Sequence, residues 1–154
     1  MTEYEIREIS LQRELPTMNE RIMRLPEWRR RITLSYQFPI DRLQSLIAWE
    51  ILADLLRRHC GLLPHTFRID YLPGGRPAIA GRPDIHITLS HCPAAAMAAI
   101  SDHPIGCDIE EIRRPYRLHG APIADHCFTP AERRHILLSP DPSLAFTRLW
   151  TLKE

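Results

Sequence analysis

The sequence lacks an excess of charge of either sign. Its 20 lysine and arginine residues oppose 19 aspartate and glutamate residues, so the formal net charge is +1 at pH 7. This balance argues against binding of nucleic acid through a global basic field, and any anion site must be local. The first residues include acids and no continuous apolar run, so we expect neither a signal peptide nor a transmembrane span. The expected compartment is the cytoplasm.

Cysteine is also scarce. The four cysteines, Cys60, Cys92, Cys107 and Cys127, form no Cys-x-x-Cys pair, which favours reduced thiols over a disulfide framework. Three of them directly follow a histidine. Adjacent side chains point to opposite faces of a strand, or lie about 100° apart on a helix, so these pairs do not favour a zinc site. We interpret them as core thiols or chance neighbours.

The composition is that of a globular protein, with 44% hydrophobic and 25% charged residues among 154. This length fits one domain, two small lobes or part of a longer protein. Alternating residues predict strands over 3–9, 67–71, 85–90, 94–101 and 105–110.

Helical spacing predicts an arginine-rich helix over residues 17–35, interrupted by one proline, and a long amphipathic helix over residues 40–60, closed by a glycine. Beyond Pro115 the chain is again expected to be helical. Thr129 followed by proline and an acid predicts a helix start, and a last helix is expected from residue 142. Together these elements predict an α+β fold.

Asp108 and Glu110 are the first candidates for a site. On a strand, residues two apart point to the same side, about 7 Å apart along the chain, which suits one hard cation. Two acids on the solvent face of a strand are common, however, so this pair alone indicates little.

Its surroundings make the pair informative, because five short segments follow one another in a characteristic order. They are Gly74-Gly75-Arg76-Pro77, Leu89-Ser90-His91, Ile105-Gly106-Cys107-Asp108-Ile109-Glu110, Phe128-Thr129-Pro130-Ala131-Glu132 and Trp150-Thr151-Leu152-Lys153-Glu154. This series resembles the 4'-phosphopantetheinyl transferase superfamily, surfactin-synthetase-activating (Sfp) type, whose motifs run G-K-P, S-H, G-x-D-x-E, F-x-x-x-E and W-x-x-K-E. Each motif alone is unspecific, whereas five in order are specific.

The resemblance implies a fold of two pseudo-symmetric α+β lobes with coenzyme A between them. Residues 1–101 would form the N-terminal lobe and residues 102–154 the first part of the C-terminal lobe. Because the family's last helix runs on beyond its glutamate, we expect a second lobe that is incomplete here. We therefore expect part of a longer enzyme that, alone, binds coenzyme A weakly and transfers poorly.

The resemblance also implies the chemistry. The enzyme would move the phosphopantetheine arm of coenzyme A to a serine of an acyl or peptidyl carrier protein and release 3',5'-ADP. Asp108, Glu110 and Glu154 would hold Mg²⁺ against the pyrophosphate. Glu154 would also be the general base for the carrier serine. Lys153 would complete the catalytic group, either by contacting a phosphate or by supporting the site.

Four further residues are implied to bind coenzyme A. Arg76 replaces the family's lysine and can bind a phosphate bidentately. Ser90 and His91 would contact phosphates, and their adjacency on a strand argues against a serine hydrolase dyad. Arg42 resembles an arginine at the adenine end, although the spacing differs by a residue or more.

Other residues have two interpretations each. The three consecutive arginines on the predicted helix either reach the same phosphate of coenzyme A as Arg42 or form a solvated helix face; they are Arg29, Arg30 and Arg31. Trp150 packs in the core or contacts substrate. Glu132 either lies near the active cleft or is only an acid in the first turn of its helix, a position that the helix dipole favours.

Arg113, Arg114 and Arg117 would complement the acidic helix that carrier proteins present. We expect a monomer with no nucleic-acid or membrane partner. The alternative function is a catalytically silent coenzyme A-binding protein, against which the intact Asp108, Glu110 and Glu154 argue.

Overall fold

The computed structural model describes residues 1–112 and 126–154. The chain divides into two compact units, Met1–Ile109 and Glu110–Glu154. Helices and an antiparallel sheet are both present, which confirms the predicted α+β class. The lobe boundary after residue 101 stays a prediction. Among the described residues, no helix is both long enough and apolar enough to cross a membrane.

The first unit consists of a sheet and three helices. The five strands lie in the order β1-β5-β4-β3-β2, and all neighbours are antiparallel. The bounds are β1 Thr2–Glu8, α1 Leu11–Met23, α2 Glu27–Ser35, α3 Pro39–Cys60, β2 Ile69–Tyr71, β3 Pro77–Ile79, β4 His86–Cys92 and β5 Ala95–Ser101.

The helix α3 organises this unit. It begins with Pro39 in its first turn and ends at Gly61, whose φ of 68° is the left-handed conformation that glycine adopts without strain. Its apolar residues pack against one face of the sheet, including Ile87 and Leu89 of β4. At the centre, Trp49 contacts Trp28 edge-to-face and Phe67 at a tilt, with ring centroids 5.3 and 5.2 Å away.

The predicted boundaries held best for the long helix. The predicted arginine-rich helix is in fact two helices, and the interruption expected at Pro26 separates them. The first of them begins at Leu11 rather than at residue 17 and contains Pro16. The short strand β3 was not predicted, because Pro77 at its start belongs to a segment that favours a turn.

The strand predicted over residues 105–110 is wrong. Those residues form no strand, although backbone N–H groups of Cys107 and Ile109 donate to hydroxyls of β4. β4 pairs with β5 along its whole length but with β3 only at His86. The N–H groups of Cys107 and Ile109 donate to the hydroxyls of Thr88 and Ser90 instead of to backbone carbonyls, so the segment is held by side chains and forms no strand pairing.

The second unit contains two described helices, α4 Pro130–Leu138 and α5 Pro142–Thr151. The helix start predicted at Thr129 is confirmed as a capping box, in which Thr129 and Glu132 satisfy each other's backbone N–H groups. The last helix begins at Pro142, as predicted. Ring contacts between Phe128, Phe146 and Trp150 form the small core of this unit.

Candidate functional site

The structure brings together two of the motifs within the first unit. The Ser90 hydroxyl donates a hydrogen bond of 2.7 Å to Oδ1 of Asp108 and accepts one of 3.1 Å from the backbone N–H of Ile109. Two residues earlier on β4, Thr88 Oγ1 accepts a bond of 3.2 Å from the Cys107 N–H. Thr88 and Ser90 therefore fasten the segment that carries Asp108 to the sheet face that α3 does not cover.

The second carboxylate oxygen of Asp108 is the unusual atom of this arrangement. Oδ2 is buried and has no hydrogen-bond partner among the described residues. A buried oxygen without a partner is costly, and a carboxylate oxygen can be satisfied only by a donor or a cation. Asp108 therefore fits the ligand set of a hard cation such as Mg²⁺.

His91 lies on the opposite face of β4 from Ser90, because successive strand residues alternate. Burial is the chief cause that lowers the pKa of His91; Asp41 acts against it and Arg29 adds to it. The imidazole lies on the side of α2 and α3. With the two side chains on opposite faces, Ser90 and His91 do not form a nucleophile–base dyad.

Arg76 is held by a tight turn after β2. The Leu72 N–H donates to the Arg76 carbonyl at 2.9 Å, while Gly74 and Gly75 have φ of 91° and 85°, where glycine is favoured. The exposed Arg76 lines a cavity of about 290 Å³ together with His86 and Ile105. Two of the motifs recognised in the sequence thus border one cavity.

A larger cavity, of about 650 Å³, lies between α2 and β2. Its lining combines guanidinium, indole and phenol groups from Trp28, Arg31, Arg68 and Tyr71 with acids from Glu27 and Asp70. Arg31 also bonds to Glu27. The sequence analysis did not select Arg68 or Tyr71, because neither belongs to one of the five motifs. The one local indication of a site near them was their position on a predicted strand that leads into the Gly74-Gly75 turn.

Arg29 does not lie on a solvated helix face. It is 8% exposed, and its Nη2 donates to the carbonyl and to the hydroxyl of Ser45, both at 2.7 Å. Its guanidinium carbon lies 5.5 Å from the Trp49 ring centroid, and desolvation lowers its pKa. Arg29 therefore fastens α2 to α3.

Arg42, in the first turns of α3, donates from Nε to the Tyr36 carbonyl at 2.8 Å. This bond ties it to the segment between α2 and α3. Contact between Arg42 and a nucleotide stays a prediction.

In the second unit, Lys153 and Glu132 form one structural group. Lys153 Nζ lies 3.1 Å from Oε1 of Glu132 and 5.8 Å from the centroid of the Phe128 ring. The Thr129 N–H donates to Oε2 of Glu132 at 2.7 Å; this bond first, and Lys153 second, lower the pKa of Glu132. Two predicted motifs thus meet through these side chains, and Trp150 stacks on Phe146 beside them.

The predicted metal ligands belong to different units: Asp108 to the first, Glu110 and Glu154 to the second. Within residues 1–112 and 126–154, no three histidine, cysteine, aspartate or glutamate side chains form a cluster that could hold a metal ion. The set of Asp108, Glu110 and Glu154 stays a prediction. Arg113, Arg114 and Arg117, predicted to meet the carrier protein, lie outside the described residues.

Comparison with known proteins points to the family that the motifs resemble. Residues 104–154 match the family described as the 4'-phosphopantetheinyl transferase superfamily. The chain is 28% identical over 121 residues to the 4'-phosphopantetheinyl transferase psf-1 of Bacillus pumilus, covering 77% of this chain and 50% of that protein. It is 29% identical over 140 residues to the 4'-phosphopantetheinyl transferase Sfp of Bacillus subtilis (strain 168), covering 88% and 60%.

The chain thus spans about half the length of the curated relatives it matches. Among solved structures, a holo-(acyl-carrier-protein) synthase from Bacillus anthracis, in complex with CoA (3',5'-ADP), is similar with a TM-score of 0.48 and 14% identity, over 63% of this chain and 91% of that one. A likeness this slight carries no conclusion about fold or ligand.

Proposed function

We propose that this chain, which matches the 4'-phosphopantetheinyl transferase superfamily over residues 104–154 and resembles enzymes of that name, is such a transferase and moves the phosphopantetheine arm of coenzyme A to a serine hydroxyl of an acyl or peptidyl carrier protein. The other product is 3',5'-ADP. The observation that carries the proposal is the junction of Ser90 with Asp108, which leaves one buried carboxylate oxygen without a partner among the described residues.

Asp108, Glu110 and Glu154 would hold Mg²⁺. When bound, the ion supplies positive charge that stabilises the pyrophosphate and the leaving 3',5'-ADP. Support for Asp108 is its orphaned oxygen. Support for Glu154 is its place directly after Lys153, which the pair with Glu132 holds in position.

Coenzyme A would be bound by Arg76, Ser90, His91 and Arg42. Arg76 offers a bidentate guanidinium at the rim of a cavity. The Ser90 hydroxyl is already committed to Asp108, so its main contribution is to orient that carboxylate. The imidazole of His91 can donate a hydrogen bond to a phosphate oxygen.

On the acceptor side, Glu154 would take the proton of the carrier serine, directly or through water, as its oxygen attacks the β-phosphorus of coenzyme A. Lys153 contributes to catalysis by holding this end of the chain through Glu132 and Phe128. Arg113, Arg114 and Arg117 would meet the carrier's acidic helix. The four cysteines are free thiols, which suits the cytoplasmic location that we propose.

The experiment is a panel of apo carrier proteins incubated with coenzyme A and Mg²⁺, with this chain in molar excess so that slow transfer is visible. Intact mass scores addition of the arm to the carrier. We expect addition to at least one carrier, and none with Asp108→Ala, whose fold is checked by circular dichroism. Coenzyme A binding without an added arm on any carrier would favour the catalytically silent binding protein instead.

A further inference from the structure

The helix α2 is held on the rest of the first unit mainly by polar side chains. Its buried residues are Arg29 and Thr33, whereas α1 buries Met18 and Ile22. The apolar side chain of α2 that packs against the core, Trp28, is only partly buried. Burial of apolar surface therefore holds α2 less firmly than α1, and the contacts of Arg29 matter more for its docking.

The Arg29 guanidinium is a buried charge that lacks a counter-charge. Arg29 is more than nine-tenths buried, yet no residue that the structure describes forms an ion pair with it. The described groups that interact electrostatically with it are Tyr36, Tyr71 and His91, and none of them is a carboxylate. A buried cation without a counter-charge costs free energy, which a backbone carbonyl and an indole ring offset only in part.

The nitrogen atoms of Arg29 show from which side a counter-charge can approach. Nη2 is occupied by the carbonyl and the hydroxyl of Ser45. Nε is enclosed and has no hydrogen-bond partner among the described residues. Nη1 makes no bond to a described residue either, but it is not enclosed as Nε is. An anion can therefore reach the guanidinium from the side of Nη1.

Hydrogen-bond donors accompany the guanidinium. The phenols of Tyr36 and Tyr71 and the imidazole of His91, which interact with its charge, can each donate one hydrogen bond. An anion with several acceptor oxygens can accept from a guanidinium and from such donors at the same time. Phosphate has this chemistry, and its bonds to arginine are among the strong charge-assisted hydrogen bonds of proteins. A phosphate group therefore fits the missing counter-charge.

We propose that a phosphate group binds beside Nη1 of Arg29 and that this binding fixes α2 to α3. When α2 is docked, the anion cancels a buried charge; when α2 is undocked, water solvates the guanidinium and the anion binds less well. By linkage, bound phosphate makes opening of α2 rarer. The source is free phosphate or a phosphate group of coenzyme A; only the second rests on the proposed function.

The test is hydrogen–deuterium exchange of the full chain, read by mass spectrometry on the peptide that contains Glu27–Ser35. Phosphate at about ten times its dissociation constant should slow exchange of the wild-type α2 amides about tenfold, because it lowers the open fraction by that factor. Sodium chloride at equal ionic strength screens charges without supplying phosphate, and should change the rate little. The peptide of α1 is the internal control and should also change little.

Arg29→Met removes the charge and keeps an unbranched apolar side chain beside Trp49, so α2 should no longer respond to phosphate. Arg29→Lys keeps the charge but not the planar fork, and should keep part of the response. Arg30→Met is the matched control. It makes the same change in net charge one position along the helix, at an arginine that forms no ion pair with a described residue, and its α2 should still respond about tenfold.

Coenzyme A, added in place of phosphate, distinguishes the two sources. Slower exchange of α2 at coenzyme concentrations at which free phosphate has no effect identifies the coenzyme. A response to phosphate alone identifies free phosphate, and because no carrier protein is present, a chain that does not transfer the arm can still give it. Exchange that neither ligand slows in wild type would overturn the proposal, even if Arg29→Met does not fold by circular dichroism. So would an equal response of a folded Arg29→Met and wild type.

Discussion

Ser90 and Asp108 are 18 residues apart in the sequence and are joined by a hydrogen bond of 2.7 Å from the Ser90 hydroxyl to Oδ1 of Asp108. The same hydroxyl accepts the Ile109 N–H. One serine therefore fixes both the carboxylate and the backbone that carries it, and Oδ2 is the oxygen left over.

Replacing Ser90 with alanine should destabilise the protein. Two hydrogen bonds to a half-buried segment are lost, so we expect the free energy of unfolding in urea to fall by about 1 to 3 kcal/mol. Thr88→Val is the matched control: it removes one bond, to the Cys107 N–H, and should cost about half as much. Equal stability of Ser90→Ala and wild type would show that the serine does not hold this segment.

Arg76 should tolerate lysine but not alanine. The turn holds its side chain at the rim of the cavity, and loss of a charge-assisted bond to phosphate should weaken coenzyme A binding by about 1.5 to 3 kcal/mol. Isothermal titration calorimetry measures the difference. Arg24→Ala removes an exposed arginine on α1 that pairs with Glu20, and should leave the affinity unchanged. Unaltered affinity of Arg76→Ala would refute the contact.

The Glu132 carboxyl should titrate below the usual range of glutamate, because the Thr129 N–H and then Lys153 stabilise its charged form. Carbon-13 NMR of the side-chain carboxyl reads this pKa directly. Lys153→Met removes the second cause only, so the pKa should rise part of the way towards its ordinary value. An unchanged pKa in that variant would mean that the ion pair is absent in solution.

The same shift predicts how stability depends on pH. A carboxyl with a lowered pKa in the folded state contributes stability that is complete above its unfolded pKa, about 4.3, and is lost as the pH falls through the folded pKa. The stability advantage of wild type over Glu132→Gln should therefore shrink on acidification. Thermal unfolding of both proteins between neutral and acidic pH measures it, and an advantage that grows towards low pH would contradict the assignment.

Local signals in the sequence were sufficient for some elements. Gly61 after an apolar helix and the capping box of Thr129 and Glu132 act within a few residues, so their geometry follows from residue type. The outcome for residues 105–110 depends on the hydroxyls of Thr88 and Ser90, each 19 positions before the residue whose N–H it accepts. Alternation cannot distinguish a strand from a segment fastened by hydroxyls.

In the candidate site, too, neighbouring residues identify the motifs, whereas contacts between distant residues decide their geometry. Motif order selected Ser90 and Asp108, but nothing in the order of residues showed that they bond to each other. The burial of Arg29 depends on Ser45 and Trp49, which are 16 and 20 positions later in the sequence. The pair of Lys153 with Glu132 likewise joins two motifs that the sequence presents separately.

The most direct measurement is the calorimetric affinity for coenzyme A, with Mg²⁺ and with a chelator, in wild type and in Asp108→Asn. Asparagine keeps the shape and the oxygen that accepts from Ser90 but removes the charge. We predict that Mg²⁺ strengthens coenzyme A binding to wild type and to the control Asp84→Asn, an exposed aspartate paired with Arg82, and has no effect on Asp108→Asn. Equal Mg²⁺-dependent affinity in Asp108→Asn and wild type would contradict the account.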